Sequence, residues 1–464
     1  MIKPENAEAL IDRARSGGAD FAELYLERWR RRNMRVLDGN VQEAISGIRY
    51  GAGIRLFFGT DVAYAYTNDL SPDSLLEVID TLTQLKGGGG WVDERGRGGL
   101  DFRKRRYQGL HDPGVPFDQQ TKKQRLERLL ELDQGARIAP QIVQVEGQLL
   151  EWEQEVLVTN STGDWVEDLR VRSRLMAQAV ASEEGETQTG FHGPGLSVGL
   201  ELFDRYPPAM VGRRAAEMAL TNLRAAKAPA GIMPVVIGNA FGGVIFHEAL
   251  GHLLETTSVA RKASVLSDLL GEEIASPTVT YIDDGTTPHG WGSSEFDDEG
   301  NPTERTVLID KGVLQSYMVD RLGGLKTGYR PTGSGRRQDY TFAPTSRMRN
   351  TFIAPGNVPK EDLFSGIEHG LYAKTMGGGQ VKPGSGEYNF AVNEGYIIRH
   401  GRIEESVRGA MLVGKGPESI KRIAAVSNDL ETAPGMCGSL SGSLPVEVGQ
   451  PHLLVSEIVV GGES

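Results

Sequence analysis

The segment Val244-Ile245-Phe246-His247-Glu248-Ala249-Leu250-Gly251-His252-Leu253-Leu254-Glu255 constrains this chain more than any other stretch. It reads H-E-x-x-x-H inside an apolar, helix-compatible run. Only 8 histidines occur in 464 residues, and two of them sit here. Two imidazoles and a carboxylate this close together are the parts of a hydrolytic zinc site, namely two metal ligands and a general base.

The spacing is not the common one. In H-E-x-x-H the histidines are i and i+4, about 40° apart on a helix that turns about 100° per residue. Here they are i and i+5, about 140° apart, so a regular helix splays the rings. A helix over residues 240–255 with a wider, π-bulge turn would bring them onto one face, and Gly251 eases such a distortion. The other reading is one core histidine and one surface histidine, and spacing alone does not separate the two.

A third ligand bears on that choice. The chain has one cysteine, in Pro434-Gly435-Met436-Cys437-Gly438-Ser439. A lone cysteine is most often a small buried hydrophobe. Flanking glycines and a nearby proline predict a tight turn, from which a thiolate could reach a metal. Two histidines, one cysteine and an open fourth position form an accepted catalytic zinc arrangement.

Further motifs carry a family resemblance. They are Ile274-Ala275-Ser276-Pro277, Tyr281-Ile282-Asp283-Asp284-Gly285-Thr286, Gly290-Trp291-Gly292-Ser293 and Phe296-Asp297-Asp298-Glu299-Gly300. Thr332-Gly333-Ser334-Gly335-Arg336-Arg337, Pro344, Arg347-Met348-Arg349-Asn350-Thr351, Gly435-Met436-Cys437-Gly438 and Val448-Gly449-Gln450-Pro451 complete the series. With H-E-x-x-x-H, these resemble the TldD/PmbA family, in its TldD-like zinc metallopeptidase branch. The resemblance covers essentially the whole chain and is densest from Pro234 onward. It implies Zn2+ held by His247, His252 and Cys437, with Glu248 as catalytic acid and base. It also implies unfolded polypeptides or short peptides as substrate, and a homodimer or a heterodimer with a PmbA-like sister that lacks the motif.

Composition bounds the remaining choices. Lys+Arg 50 against Asp+Glu 62 leaves −12, which argues against a dedicated nucleic-acid binder. One cysteine excludes an internal disulfide and suits a reducing compartment. Neither an apolar leader nor an apolar membrane span is seen, so a soluble cytoplasmic protein is the expectation.

The pattern predicts an α+β fold. Helices are expected over residues 4–15, 72–84, 118–132 and 208–224, with strand runs over 19–67 and 142–202. Helix, meander, helix therefore occurs twice, although no residue-level self-similarity supports a duplication. Residues 87–90 and 95–99 read as a glycine-rich loop, and Lys227-Ala228-Pro229-Ala230 reads as a linker. This gives an N-terminal α/β domain of helix–meander–helix units, 1–228, and a β-rich C-terminal domain, 229–464, carrying the motif helix. Glycine is 60 of 464, above the usual ~7%, and favours tight turns in the second half.

Other signals read more plainly. Met376-Gly377-Gly378-Gly379 through Gly386 lacks the G-K-[ST] ending of a phosphate loop. Glu295, Asp297, Asp298 and Glu299 lack calcium-loop spacing and suit a polar hairpin turn. The runs Arg30-Arg31-Arg32 and Arg103-Lys104-Arg105-Arg106 suit solvated faces. Arg336, Arg337, Tyr340 and His289 are second-rank candidates for stabilising an oxyanion. Two other functions compete with a zinc peptidase. One is a non-enzymatic, metal-binding regulator of the gyrase-modulator kind. The other is a hydrolase of non-peptide bonds.

Overall fold

The computed structural model describes residues 1–85, 100–109 and 112–462. The glycine-rich segment expected at 87–90 and 95–99 lies outside the described residues. Helix is 23% and strand 45%, the α+β class expected.

One large sheet organises the first half. Its strand order is Asp61–Thr67, Asn40–Phe58, Phe21–Leu37, Ile142–Asn160, Asp164–Glu183 and Arg103–Arg106, with Glu186–His192 and Gly195–Leu196 also paired to Asp164–Glu183. Two helix–meander–helix units share this sheet. Their first strands, Phe21–Leu37 and Ile142–Asn160, pair antiparallel from Glu23↔Asn160 to Leu37↔Glu146.

Helix Pro4–Ser16 buries Ala7, Leu10, Ile11 and Ala14, the i, i+3, i+4, i+7 stripe of an amphipathic helix. It packs with Pro72–Leu85 over Ala22, Leu24 and Leu26 of the first strand. Gly17 follows it as the C-cap, where a Cβ would lie 2.4 Å from Thr83 Cγ2. Helix Lys122–Ala136 starts later than expected, at a capping box formed by Thr121 and Gln124, and packs with Pro208–Leu223.

The first strand alternates between two interfaces. While Ala22, Leu24 and Leu26 face helices, Glu23, Tyr25 and Glu27 face the second half of the chain. There Arg55 Nη2 sits 2.7 Å from Glu23 Oε2 and 2.6 Å from Glu299 Oε1. Arg337 Nη2 reaches Glu23 Oε1 at 2.7 Å, and Arg170 Nη1 reaches Asp298 Oδ1 at 2.6 Å. The acidic segment 295–299 does form a turn, with Gly300 N donating to Asp297 O. That turn is buried in this ion-pair seam, a placement no local pattern signals.

Two larger sheets and a two-stranded one, Gly335–Arg336 with Thr345–Ser346, form the second half. Strands His369–Lys382, Gly231–Ile237, Leu453–Gly461, Met411–Lys415 and Glu387–Arg399 close into a ring, because the last also pairs with the first. The other larger sheet runs Val313–Leu314, Arg305–Asp310, Tyr281–Asp284, Asn350–Ile353, Gly442–Gln450 and Glu431–Ser439. The expected linker is not a free segment. Ala226–Lys227 pairs with Arg402–Arg408, and Ala228 N donates to Arg408 O at 2.9 Å. Small residues signal flexibility only when no strand edge is waiting to pair with them. The glycine-rich stretch around 376–386 is strand and hairpin turn. A Cβ on Gly386, at φ +70°, would lie 2.5 Å from Ala249 O at the end of the motif helix.

Candidate metal centre

The histidine motif does not form the continuous bulged helix expected over 240–255. After a 3-10 turn at Ala240–Gly243, helix Val244–Ala249 ends at Leu250, whose backbone is at φ −129° and ψ −50°. A second 3-10 turn, Gly251–Leu254, then carries His252. The i, i+5 mismatch is absorbed by a break in the helix rather than by a wider turn. The two rings end 5.6 Å apart, nearly perpendicular at 80°. Gly251 is needed for a different reason than the one expected, since a Cβ there would sit 2.1 Å from Met348 Sδ.

Cys437 lies in a strand, not in a tight turn. Glu431–Ser439 is the outer strand of the six-stranded sheet, and Cys437 pairs with Leu444. Pro434 is tolerated because an edge strand can lack a donor. The turn of the hairpin falls at Leu440-Ser441. Arg347 fastens it, donating to Cys437 O at 2.6 Å, Ser441 Oγ at 3.1 Å and Gly442 O at 3.0 Å.

These elements bring His247, Glu248, His252 and Cys437 together, with one nitrogen, oxygen or sulfur of each within 4.8 Å of the others. Cys437 Sγ is 3.1 Å and Glu248 Oε2 3.4 Å from His252 Nε2. Both rings are held from behind. Thr351 Oγ1 contacts His247 Nδ1 at 2.8 Å, and Glu255 Oε2 contacts His252 Nδ1 at 3.0 Å. Glu255 is itself fixed, accepting from Met348 N at 3.3 Å beside Arg347. Sequence reasoning missed both supports. The acidic residue three places after His252 was a usable signal for Glu255, whereas nothing local marks Thr351.

The electrostatics are strongly shifted. Burial disfavours the Cys437 thiolate, but the charge and hydrogen bond of His252, with the charge of His247, bring the thiol down to about 5. Burial likewise opposes ionised Glu248. The His252 hydrogen bond and the charges of His247, His252 and Arg347 override it and hold the carboxyl at about 2. For His252, burial is outweighed by the charges of Glu255 and Cys437, which raise it well above the ordinary imidazole value.

These residues fit a metal ion. His247 Nε2 is buried and has no hydrogen-bond partner among the described residues. A sulfur held as thiolate is the form that ligates. Imidazoles oriented by a hydroxyl and a carboxylate on their far nitrogens are the usual support of metal-binding histidines. The second-rank candidates are engaged elsewhere. Arg336 donates to Met348 O and Pro445 O, Arg337 to Glu23, and His289 Nδ1 contacts Ser197 O, while the Tyr340 ring packs against Tyr66 and the Arg49 guanidinium.

Three matches to family models cover most of this architecture. The PmbA/TldA metallopeptidase C-terminal domain matches residues 230–462, the central domain 115–223 and domain 1 22–85. The chain belongs to the PmbA/TldD metallopeptidase family. It is 34% identical to the metalloprotease TldD homolog of Haemophilus influenzae over 454 residues, 96% of this chain and 93% of that one. A metalloprotease of Methanothermobacter thermautotrophicus is 31% identical, covering 96% of both. A zinc metalloprotease TldD homolog of Saccharolobus solfataricus is 30% identical over 56% of this chain and 58% of its own length. TldE from Thermococcus kodakarensis has the same fold, with TM-score 0.77 at 19% identity over 98% of this chain and all of that one. Among the described residues, no helix is long and apolar enough to cross a membrane.

Proposed function

We propose that this chain is a zinc-dependent peptidase acting on unfolded polypeptides or small peptides. The observation that carries it is the buried, unpartnered His247 Nε2 beside the Cys437 sulfur and the His252 ring. His247, His252 and Cys437 would hold the ion. When bound, zinc supplies Lewis acidity, polarising a carbonyl and lowering the pKa of water. Glu248 is the proton carrier: its ionised carboxylate takes a proton from the attacking water and returns it to the departing amine nitrogen. Thr351 and Glu255 keep the rings in position. Metalloprotease names among the relatives support the class. The retained Glu248 speaks against a purely regulatory metal site, which needs no base.

The division at 228/229, a cytoplasmic location and a dimer with itself or a PmbA-like sister belong to the same proposal. The test compares zinc content and peptide release for wild type and Glu248→Gln. The variant keeps zinc and loses roughly a hundredfold or more of its activity. Full activity in that variant would overturn the assignment.

A further inference from the structure

Beside the Cys437 hairpin, between the two halves of the chain, lies a cavity of about 200 Å³. Arg31, Arg170, Arg172, Arg336, Arg337 and Arg349 line it with one carboxylate residue, Asp298, while Arg170 and Arg337 are also paired from outside the lining with Asp168 and Glu23. Asp298 is already committed, accepting from Arg170 Nη1 at 2.6 Å and Arg337 N at 2.7 Å. Three of the arginines are buried without any carboxylate in ion-pair range among the described residues. Arg172 donates to Trp291 O at 2.7 Å and Ser293 O at 2.8 Å. Arg336 donates to Met348 O and Pro445 O, and Arg349 to Gly333 O and Ser294 Oγ.

Four buried N–H donors that belong to lining residues have no acceptor among the described residues: Arg349 Nη2, Arg337 Nε, Trp29 Nε1 and Trp152 Nε1. Buried donors and buried cations both need an acceptor, and cations need counter-charge as well. Burial, with the neighbouring arginine charges, lowers Arg172 to about 9 and pushes Arg336 and Arg349 down too. Arg31 stacks at the rim, 4.6 Å from the Trp29 ring and 5.2 Å from the Trp152 ring.

We propose that this cavity is an oxyanion-binding site that takes a carboxylate or a phosphate-like group. Planar guanidinium forks are the chemistry that recognises such groups. Two sources share it. One is the terminal carboxylate of a peptide, suggested because Met436, Leu444 and Pro445 of the Cys437 hairpin also line the cavity. The other is a free inorganic oxyanion. The first source rests on the peptidase reading, whereas the site itself does not.

The experiment is calorimetry on the full chain with two probes. Inorganic phosphate is titrated into wild type. A short peptide with a free C-terminal carboxylate, and the same peptide as its amide, are titrated into the Glu248→Gln protein. Saturable phosphate binding that weakens about tenfold or more in Arg349→Gln supports the site with a free ion. An acid-over-amide preference of about tenfold or more that vanishes when Arg349→Gln is added supports it with a peptide terminus. Arg31→Gln, at an exposed rim position, gives a weaker effect in the same direction and covers a failure of Arg349→Gln to fold. No phosphate binding together with equal binding of acid and amide overturns the proposal. If wild type cleaves no peptide yet either binding signal persists, the peptidase reading fails and the oxyanion site stands.

Discussion

Two buried polar regions of this molecule contrast sharply. Around His247 and His252, each far ring nitrogen is held by a neighbouring oxygen and the near side is left to converge with Cys437 and Glu248. Along the seam between the halves, carboxylates and guanidiniums satisfy one another, as Arg55 does with Glu23 and Glu299. The first arrangement directs unspent ligating capacity inward, where an ion can use it. The second spends its capacity joining distant parts of the chain. Buried charge therefore marks function only where partners are withheld from it.

If that contrast holds, the two regions fail differently when cut. His247→Ala and Cys437→Ala should reduce bound zinc to background and lower peptide release roughly a hundredfold or more. Circular dichroism should stay unchanged, and loss of fold in either variant would make the cluster a structural element. Arg55→Met should do the reverse. It leaves Glu299 without its ion-pair partner and Glu23 with Arg337 alone, costs about 3–5 kcal/mol in urea denaturation, and leaves zinc content per folded chain intact. A change below about 1 kcal/mol would mean the seam contributes little to stability.

Glu255→Gln probes the border between the two behaviours. It should weaken zinc affinity about 10–100-fold in competition with a chelator while the fold persists. Unchanged affinity would remove Glu255 from any supporting role. The smallest effect concerns pH. Burial, with Asp320, Asp297 and Glu23 nearby, outweighs Arg55 and pushes Glu299 from 4.5 up to about 7. The folded state then binds more protons than the unfolded state between those values. The stability this contributes is full below about 4.5 and is lost as pH rises through about 7. Glu299→Gln should flatten the urea midpoint across that window, and an unaltered slope would assign it to another group.

Much of the molecule was legible without coordinates. The i, i+3, i+4, i+7 stripe of residues 4–16 marks a helix directly, because local periodicity reflects which side is buried, whereas residues 21–27 are buried on both faces of their strand. His247, Glu248, His252 and Cys437 were all visible as candidates, since few side chains can ligate and this chain has only 8 histidines and one cysteine.

What the chain could not reveal locally was how those candidates meet. The break at Leu250 replaces a bulged helix, and Cys437 stands on an edge strand 185 residues from His252 along the chain. Thr351 and the arginines of the cavity likewise acquire meaning only from what packs against them. Residue type and periodicity are local properties, so the sequence by itself determined the element types and the chemical inventory. Which side chains share a site, and which buried charges find partners, depends on contacts between segments hundreds of residues apart, and only the tertiary structure decided it.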